Sequence, residues 1–167
     1  DALAAFGDVR LGKEVVICHD TPGFIGNRIG IYWSFVAMSE AINVGLTIEE
    51  ADSIVGRPLG IPKTGIFGLG DLTGIDLAPH INASMLNLLP ATDAFSKEFD
   101  PKGRLPQLIG GMIEQGYTGR KGKGGFYRLD DKGEKQAISL RTGDYAPARR
   151  PKPAALAAGR KGGLRAV

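Results

Sequence analysis

Within "DTPGFIGNRIG", residues 20–30, an amide at Asn27 and a guanidinium at Arg28 stand among glycines at the mouth of an otherwise apolar helix. A helix built only to pack would carry Ala or Leu there, because Asn and Gly each weaken a helix interior by a few tenths to roughly 1 kcal/mol. An amide presented near a helix N-terminus can hold a substrate oxygen in line where partial positive charge gathers. The same amide can instead tie its helix to a neighbouring loop, since buried polar groups are as a rule hydrogen-bonded. Pattern alone leaves both readings open.

The other reactive side chains are sparse. His19 reads as a strand-end histidine and His80 as an ordinary helix residue. Two histidines and one cysteine, with no HExxH or CxxC spacing, do not make a metal site. There is no Walker A spacing and no G-x-S-x-G nucleophile elbow. Cys18 has no internal partner, which suits a reducing compartment and a cytoplasmic location.

The 167 residues suit one domain with a sizeable core. No apolar run approaches the roughly 20 residues that span a bilayer, and nothing resembles a signal peptide. The first residue is Asp1 rather than Met, as expected of a processed protein or a fragment. The net charge of +3 hides an asymmetry: residues 1–99 carry 6 Lys/Arg against 12 Asp/Glu, and residues 100–167 carry 15 against 6. A basic second half containing Tyr117, Phe126, Tyr127 and Tyr145 could meet nucleic acid, anionic lipid or a phosphorylated ligand; a solvated tail explains it equally well.

The elements that must position Asn27 follow from local signals. "KEVVICHD", residues 13–20, reads as a strand, but no partner strand is evident before Phe126, and one strand cannot satisfy its own backbone. Its sheet is therefore expected outside the chain. A helix then opens with Thr21 as cap and Pro22 at its first position, and runs to about Val44 before Gly45. Thr47 and Glu50 have capping-box spacing ahead of a second helix with Ile48, Ala51, Ile54 and Val55 on its buried side. Two more helices follow in "IFGLGDLTG" and "IDLAPHINASMLNLLP", with Pro79 beginning or kinking the latter. Another lies in "PQLIGGMIEQG", with Pro106 near its start and Gly116 past its end. "GFYRLDDKGEKQAISL" reads as a hairpin turning at Asp131–Gly133, and the Pro/Ala/Arg/Lys/Gly composition after Tyr145 as a linker or disordered tail. The expected fold is mainly α, a bundle of about five helices.

At 100° per residue the first long helix has two stripes. Phe24, Ile31, Phe35, Met38 and Ile42 form a core stripe, whereas Gly26, Gly30, Ser34, Ala37 and Ala41 form one with little bulk, open to close approach by a backbone or flat ligand. Asn27 falls on the seam between them.

Three blocks carry a family resemblance. "KEVVICHDTPGFIGNRIG" resembles the segment joining the two domains of (S)-3-hydroxyacyl-CoA dehydrogenases, with its D-x-P-G-F-x-x-N-R run. "GIPKTGIFGLGDLTGID" is similar to the family's P-x-G-x-F-x-L-x-D-x-x-G-x-D helix pair, and "GRKGKGGFYRL" to its closing G-R-K-x-G-x-G-F-Y. The resemblance covers residues 11 to 128 or so. It implies a helical bundle like the 6-phosphogluconate dehydrogenase C-terminal-like domain, preceded by the last strand of a Rossmann domain. On that reading residues 1–20 end a truncated nucleotide-binding domain, 21–128 form the helical dehydrogenase domain, and 129–167 form the hairpin and basic tail.

The resemblance further implies NAD, bound by the N-terminal domain through a G-x-G-x-x-G turn that these residues lack. The family's catalytic His, Glu and Ser belong upstream. One catalytic position carries over, Asn27, whose amide would orient the substrate oxygen or the catalytic His. Implied partners are an acyl-CoA substrate, the nucleotide-binding domain and a second copy in a homodimer, with no nucleic acid. Alone the chain would be inactive. Arg120, Lys121 and Lys123 of "GRKGKGG" could meet CoA phosphates or simply form a tight basic turn. The tail "ISLRTGDYAPARRPKP" resembles the stretch after the dehydrogenase part of longer bacterial fatty-acid oxidation proteins. The alternative function is a non-catalytic dimerisation or docking module in which Asn27 only packs.

Overall fold

The computed structural model describes residues 2–154 and 156. A short helix α1 (Ala2–Ala5) runs into a π-helical turn (Phe6–Arg10). Residues 13–20 then continue exposed and without regular structure. The strand expected there does not form, because its β-branched residues favour an extended chain but find no ladder to join.

The bundle begins at α2 (Phe24–Asn43), two to three residues later than Thr21 and Pro22 signalled. Gly23 (φ 86°) and Phe24 (φ 54°) both take the left-handed region. This bend at the Pro-Gly-Phe run displaces Thr21 from the capping position, and no side chain caps the helix. The rest follows as α3 (Ile48–Ile54), a 3₁₀ turn (Arg57–Leu59), α4 (Gly65–Thr73), α5 (Leu77–Leu88), α6 (Ala94–Glu98) and α7 (Arg104–Glu114). The capping box on α3 is formed: the Glu50 N–H donates to Thr47 Oγ1 at 3.2 Å, and the Thr47 N–H donates to Glu50 Oε2 at 2.9 Å. Pro79 falls in the first turn of α5, where its missing N–H costs nothing. Gly116 follows α7 at φ 80°.

The hairpin is present as β1 (Tyr127–Leu129) and β2 (Lys135–Ile138), paired antiparallel with Tyr127 opposite Ala137. Its turn is organised by Asp130, whose Oδ1 accepts from Lys132 N at 2.9 Å and Glu134 N at 2.8 Å. A third strand, β3 (Tyr145–Pro147), pairs with β2 where a linker was expected. Tyr145 buries its ring against Tyr117 and Arg128, and its hydroxyl donates to the Gly125 carbonyl, which outweighs the Pro-rich local composition. The remainder of the expected tail, residue 155 and residues 157–167, lies outside the described residues.

Two cores result. The larger joins Met38, Ala41 and Ile42 of α2 to Ile48, Ile66, Phe67, Ile109, Met112, Phe126 and Ile138, with Phe67 edge-on to Phe126 at 4.9 Å. The smaller is aromatic: Phe95 stacks on Phe99 at 5.0 Å, and Phe35 approaches Phe95 edge-on at 5.9 Å. Of the expected core stripe, Met38 and Ile42 are buried, Ile31 and Phe35 half-buried, and Phe24 is 79% exposed. The short helix α6, which no hydrophobic period announces, supplies the aromatic core.

One buried acid and one half-buried acid pin these elements together. Asp71, in α4 and 4% exposed, accepts from the N–H groups of Phe126 (2.7 Å) and Tyr127 (2.9 Å), while its carbonyl accepts from Arg120 N at 2.9 Å. Asp52, in α3, accepts from Phe67 N (2.7 Å) and Gly68 N (3.2 Å) in the first turn of α4, and from the Tyr127 hydroxyl at 2.8 Å. Each needs a glycine beside it. A Cβ on Gly125 would lie 2.1 Å from Asp71 Oδ1, and one on Gly65 would lie 2.4 Å from Asp52 Cβ. Burial pushes the Asp71 carboxyl up to about 6, against the pull of its two N–H donors, and burial likewise raises Asp52. Desolvation and the Asp52 charge push the Tyr127 phenol well above its usual range.

Replacing Asp71 by Asn turns an amide N–H₂ toward one of those donors, and a loss on the order of 1–3 kcal/mol is expected. The Asp71 carboxyl binds its proton more tightly folded (about 6) than unfolded (3.8), so its contribution is full below pH 4 and fades as pH climbs through 6. Urea midpoints should therefore separate wild type from Asp71→Asn more widely at pH 4.5 than at pH 7. Gly125→Ala, with no room for its Cβ, should lower the midpoint at both pH values.

Candidate functional site

Asn27 lies in the first turn of α2 and is exposed. Among the described residues its amide makes no hydrogen bond, so it does not tie the helix to a loop. Arg28 performs that tie. Its guanidinium pairs with Asp93, and Asp93 Oδ1 accepts from Phe95 N at 2.8 Å, capping α6. Burial alone would raise the Asp93 carboxyl, but Arg28 and the Phe95 N–H hold it below the usual carboxylate range. One carboxylate thus fixes the open end of α2 against the aromatic core and leaves the neighbouring amide free.

That amide stands on the rim of an open cavity of about 630 Å³ lined by α2, α4, α5 and α7. Gly26, Gly30 and Ser34 present their low surface to it, and a Cβ on either glycine would meet no atom within 4 Å. The floor is apolar, with Ile66, Leu69, Ile109 and Phe126. His80, Asn82 and Ser84 of α5 supply polar groups. His80, read from sequence as an ordinary helix residue, therefore shares the cavity with Asn27. His19 and Cys18 do not line it and remain in solvent. Among the described residues no three His, Cys, Asp or Glu side chains gather as metal ligands, and no helix is long and apolar enough to cross a membrane.

The first two turns of α2 are apolar on the outside as well. Phe24, Ile25 and Ile29 are 79%, 50% and 65% exposed, next to a segment whose Val16 and Ile17 are equally uncovered. A helix apolar all round is ordinarily enclosed.

The basic cluster resolves into separate tasks. Arg128 lies over the Tyr145 ring at 3.9 Å, donates to Gln136 Oε1 at 2.8 Å and reaches the Tyr117 hydroxyl. Burial pushes the Tyr145 phenol up to about 12, against the pull of the Arg128 charge. Lys135 sits 3.7 Å from the Tyr127 ring centre. "GRKGKGG" forms a tight turn closed by Gly119 N to Gly124 O at 2.8 Å, with Arg120, Lys121 and Lys123 in solvent.

Sequence reasoning did not find Asp52, Asp71 or the partner of Arg28. The signal for Asp71 was present: it is the lone acid in the apolar run "GIFGLGDLTG". For Asp52, inside the short polar helix α3, and Asp93, at the N-cap of α6, nothing local distinguished them from solvated acids.

Comparison with known proteins accords with this geometry. The family profile of the 3-hydroxyacyl-CoA dehydrogenase C-terminal domain matches residues 23–129. A Rickettsia prowazekii protein named as a fatty acid oxidation complex trifunctional enzyme is 37% identical over 150 residues, covering 88% of this chain and 20% of that protein. A Bacillus subtilis protein named as a 3-hydroxyacyl-CoA dehydrogenase is 38% identical over 130 residues, covering 78% and 16%. The crystal structure of M. tuberculosis FadB2 matches with a TM-score of 0.60 at 28% identity, over 77% of this chain and 41% of that one. The chain belongs to the 3-hydroxyacyl-CoA dehydrogenase C-terminal domain family. It spans a fifth or less of the first two relatives' length.

The dual use of Asp93 can be separated by substitution. Asp93→Asn keeps a capping oxygen and loses only the ion pair, whereas Asp93→Ala loses both. The alanine variant should be less stable than the asparagine variant by about 1 kcal/mol in thermal or urea unfolding.

Proposed function

We propose that these residues are the substrate-binding part of an NAD-dependent 3-hydroxyacyl-CoA dehydrogenase of fatty acid β-oxidation, converting 3-hydroxyacyl-CoA to 3-oxoacyl-CoA. The observation that carries this reading is the unpartnered Asn27 amide on the rim of an apolar-floored cavity, in a chain of this family. A nucleotide-binding domain would cover Phe24, Ile25 and Ile29 and supply the catalytic base. NAD, held by that domain, would supply the hydride acceptor.

Within this division of labour Asn27 contributes position. Its N–H₂ donates to the 3-oxygen of the substrate or its carbonyl accepts from the base, and either bond fixes the line of proton transfer. Arg28, paired to Asp93, keeps the first turn of α2 from fraying, so the amide is aimed before substrate arrives. Water is excluded by the apolar cavity below and the second domain above. Without that domain the chain has neither base nor hydride acceptor and is inactive. A homodimer and a cytoplasmic location complete the proposal.

In the full-length enzyme, Asn27→Ala should lower turnover by roughly 10²–10³, the usual cost of removing one preorganised donor. Circular dichroism and the melting temperature should stay unchanged, because the amide has no structural bond to lose. Adding purified nucleotide-binding domain to this chain should restore measurable NADH formation. Intact turnover in the Ala variant would instead favour the non-catalytic docking module.

A further inference from the structure

The Arg28–Asp93 pair is the first rung of a longer contact between α2 and α6. Arg28, Tyr32 and Phe35 follow one another at intervals of four and three residues, so they share one face of α2. Each has its partner on α6 or just past it. Arg28 meets Asp93 at the N-cap, and the Tyr32 hydroxyl donates to Oε2 of Glu98, the last residue of the helix, at 2.9 Å. The Phe35 ring lies 5.9 Å from that of Phe95 and 5.1 Å from that of Phe99. The partners rise together, by about 6 Å from Arg28 to Tyr32 and about 7.5 Å from Asp93 to Glu98, so α6 runs alongside α2 in the same direction. Asn27 lies just over a quarter turn round α2 from Arg28, so this contact grips the helix from the side and leaves the carboxamide uncovered. We infer that Tyr32 and Glu98 are positioning residues for the reaction, acting through Asn27, with α6 as a splint along the first turns of α2. The inference rests on the dehydrogenase reading above and adds two residues to it.

Those turns need support from outside themselves. No side chain caps α2, and Gly26 and Gly30 stand in its first two turns with open space on the cavity side. Glycine weakens a helix, and the first N–H groups of any helix lack an intrahelical partner. A carboxamide that acts by position loses its effect when displaced by an ångström or so. Neither member of the Tyr32–Glu98 bond is accounted for by its own element. Tyr32 packs its ring on the aromatic core, a task phenylalanine would serve as well. Glu98 puts a carboxylate on the last residue of α6, beside the unpaired carbonyls that disfavour negative charge. What the two gain is each other: a hydrogen bond to a charged acceptor, stronger than one between neutral groups. It lies one turn beyond the Arg28–Asp93 pair, so α2 is held at two polar points and cannot pivot about one.

The test is a mutant cycle in the full-length enzyme. kcat and the KM for NAD are measured with 3-hydroxybutyryl-CoA and 3-hydroxypalmitoyl-CoA for Tyr32→Phe, Glu98→Ala and Glu98→Gln, each made in wild type and again in Asn27→Ala. Tyr32→Phe and Glu98→Ala should lower kcat roughly two- to tenfold, the share of one hydrogen bond, with the KM for NAD unchanged. Glu98→Gln, whose amide oxygen still accepts from Tyr32, should recover most of that loss. In Asn27→Ala the same substitutions should change kcat by less than about twofold, because no carboxamide remains to be aimed. An equal loss in both backgrounds, a change confined to KM, or a lowered melting temperature with kcat intact gives the bond a merely structural role. Each of these overturns the inference and leaves the dehydrogenase reading standing. A wild-type enzyme that oxidises neither substrate, or an Asn27→Ala enzyme with full turnover, overturns the reading itself and the inference with it.

Discussion

A single buried carboxylate with two backbone donors holds this domain in register. Asp71 is nearly inaccessible, and an ion there is costly unless it is paired or hydrogen-bonded. The N–H groups of Phe126 and Tyr127 meet that cost, and in doing so fix where the chain enters β1. The constraint propagates in both directions. Tyr127, once placed, offers its hydroxyl to Asp52, and Asp52 in turn holds the first turn of α4, the helix that carries Asp71. The loop of interactions closes on itself: α3, α4 and β1 are each fixed by the other two.

This arrangement frees α2 from having to be buried along its whole length. Its C-terminal half packs into the larger core through Met38, Ala41 and Ile42. Its N-terminal half is held from the side by the Arg28–Asp93 pair and otherwise left open. A cavity floored by α4 and α7 and walled by α5 survives because the elements around it are fastened elsewhere. The small residues along the cavity face of α2 are consistent with that division, since they add little to packing and preserve open space.

Much of this was legible locally. The box at Thr47 and Glu50, the position of Pro79, the glycine after α7 and the hairpin turn at Asp131–Gly133 each depend on neighbours a few residues apart, and each appears where the sequence placed it. What was illegible depended on contacts between distant segments. The residues of 13–20 have strand composition, but a strand exists only with a partner. Tyr145 lies in a Pro-rich context that reads as linker until Arg128, Tyr117 and the Gly125 carbonyl are known to surround it. Phe24 shares the period of the core stripe yet points to solvent, because the left-handed bend at Gly23 and Phe24 starts the helix late. For the site, the position of Asn27 was evident from its helix, but its lack of a partner and its company with His80 required the fold.

Asp71 and Asp93 respond to acid in opposite order. Asp71, lifted to about 6 by burial, takes up a proton before Asp93, which Arg28 and the Phe95 N–H hold below the usual carboxylate range. Mild acid thus reaches the sheet end of the molecule well before it reaches the helix end that displays the carboxamide. Acidification through pH 6 neutralises the Asp71 strut while the Arg28–Asp93 pair beside the cavity rim keeps its charge, so the geometry there outlasts this change in the scaffold.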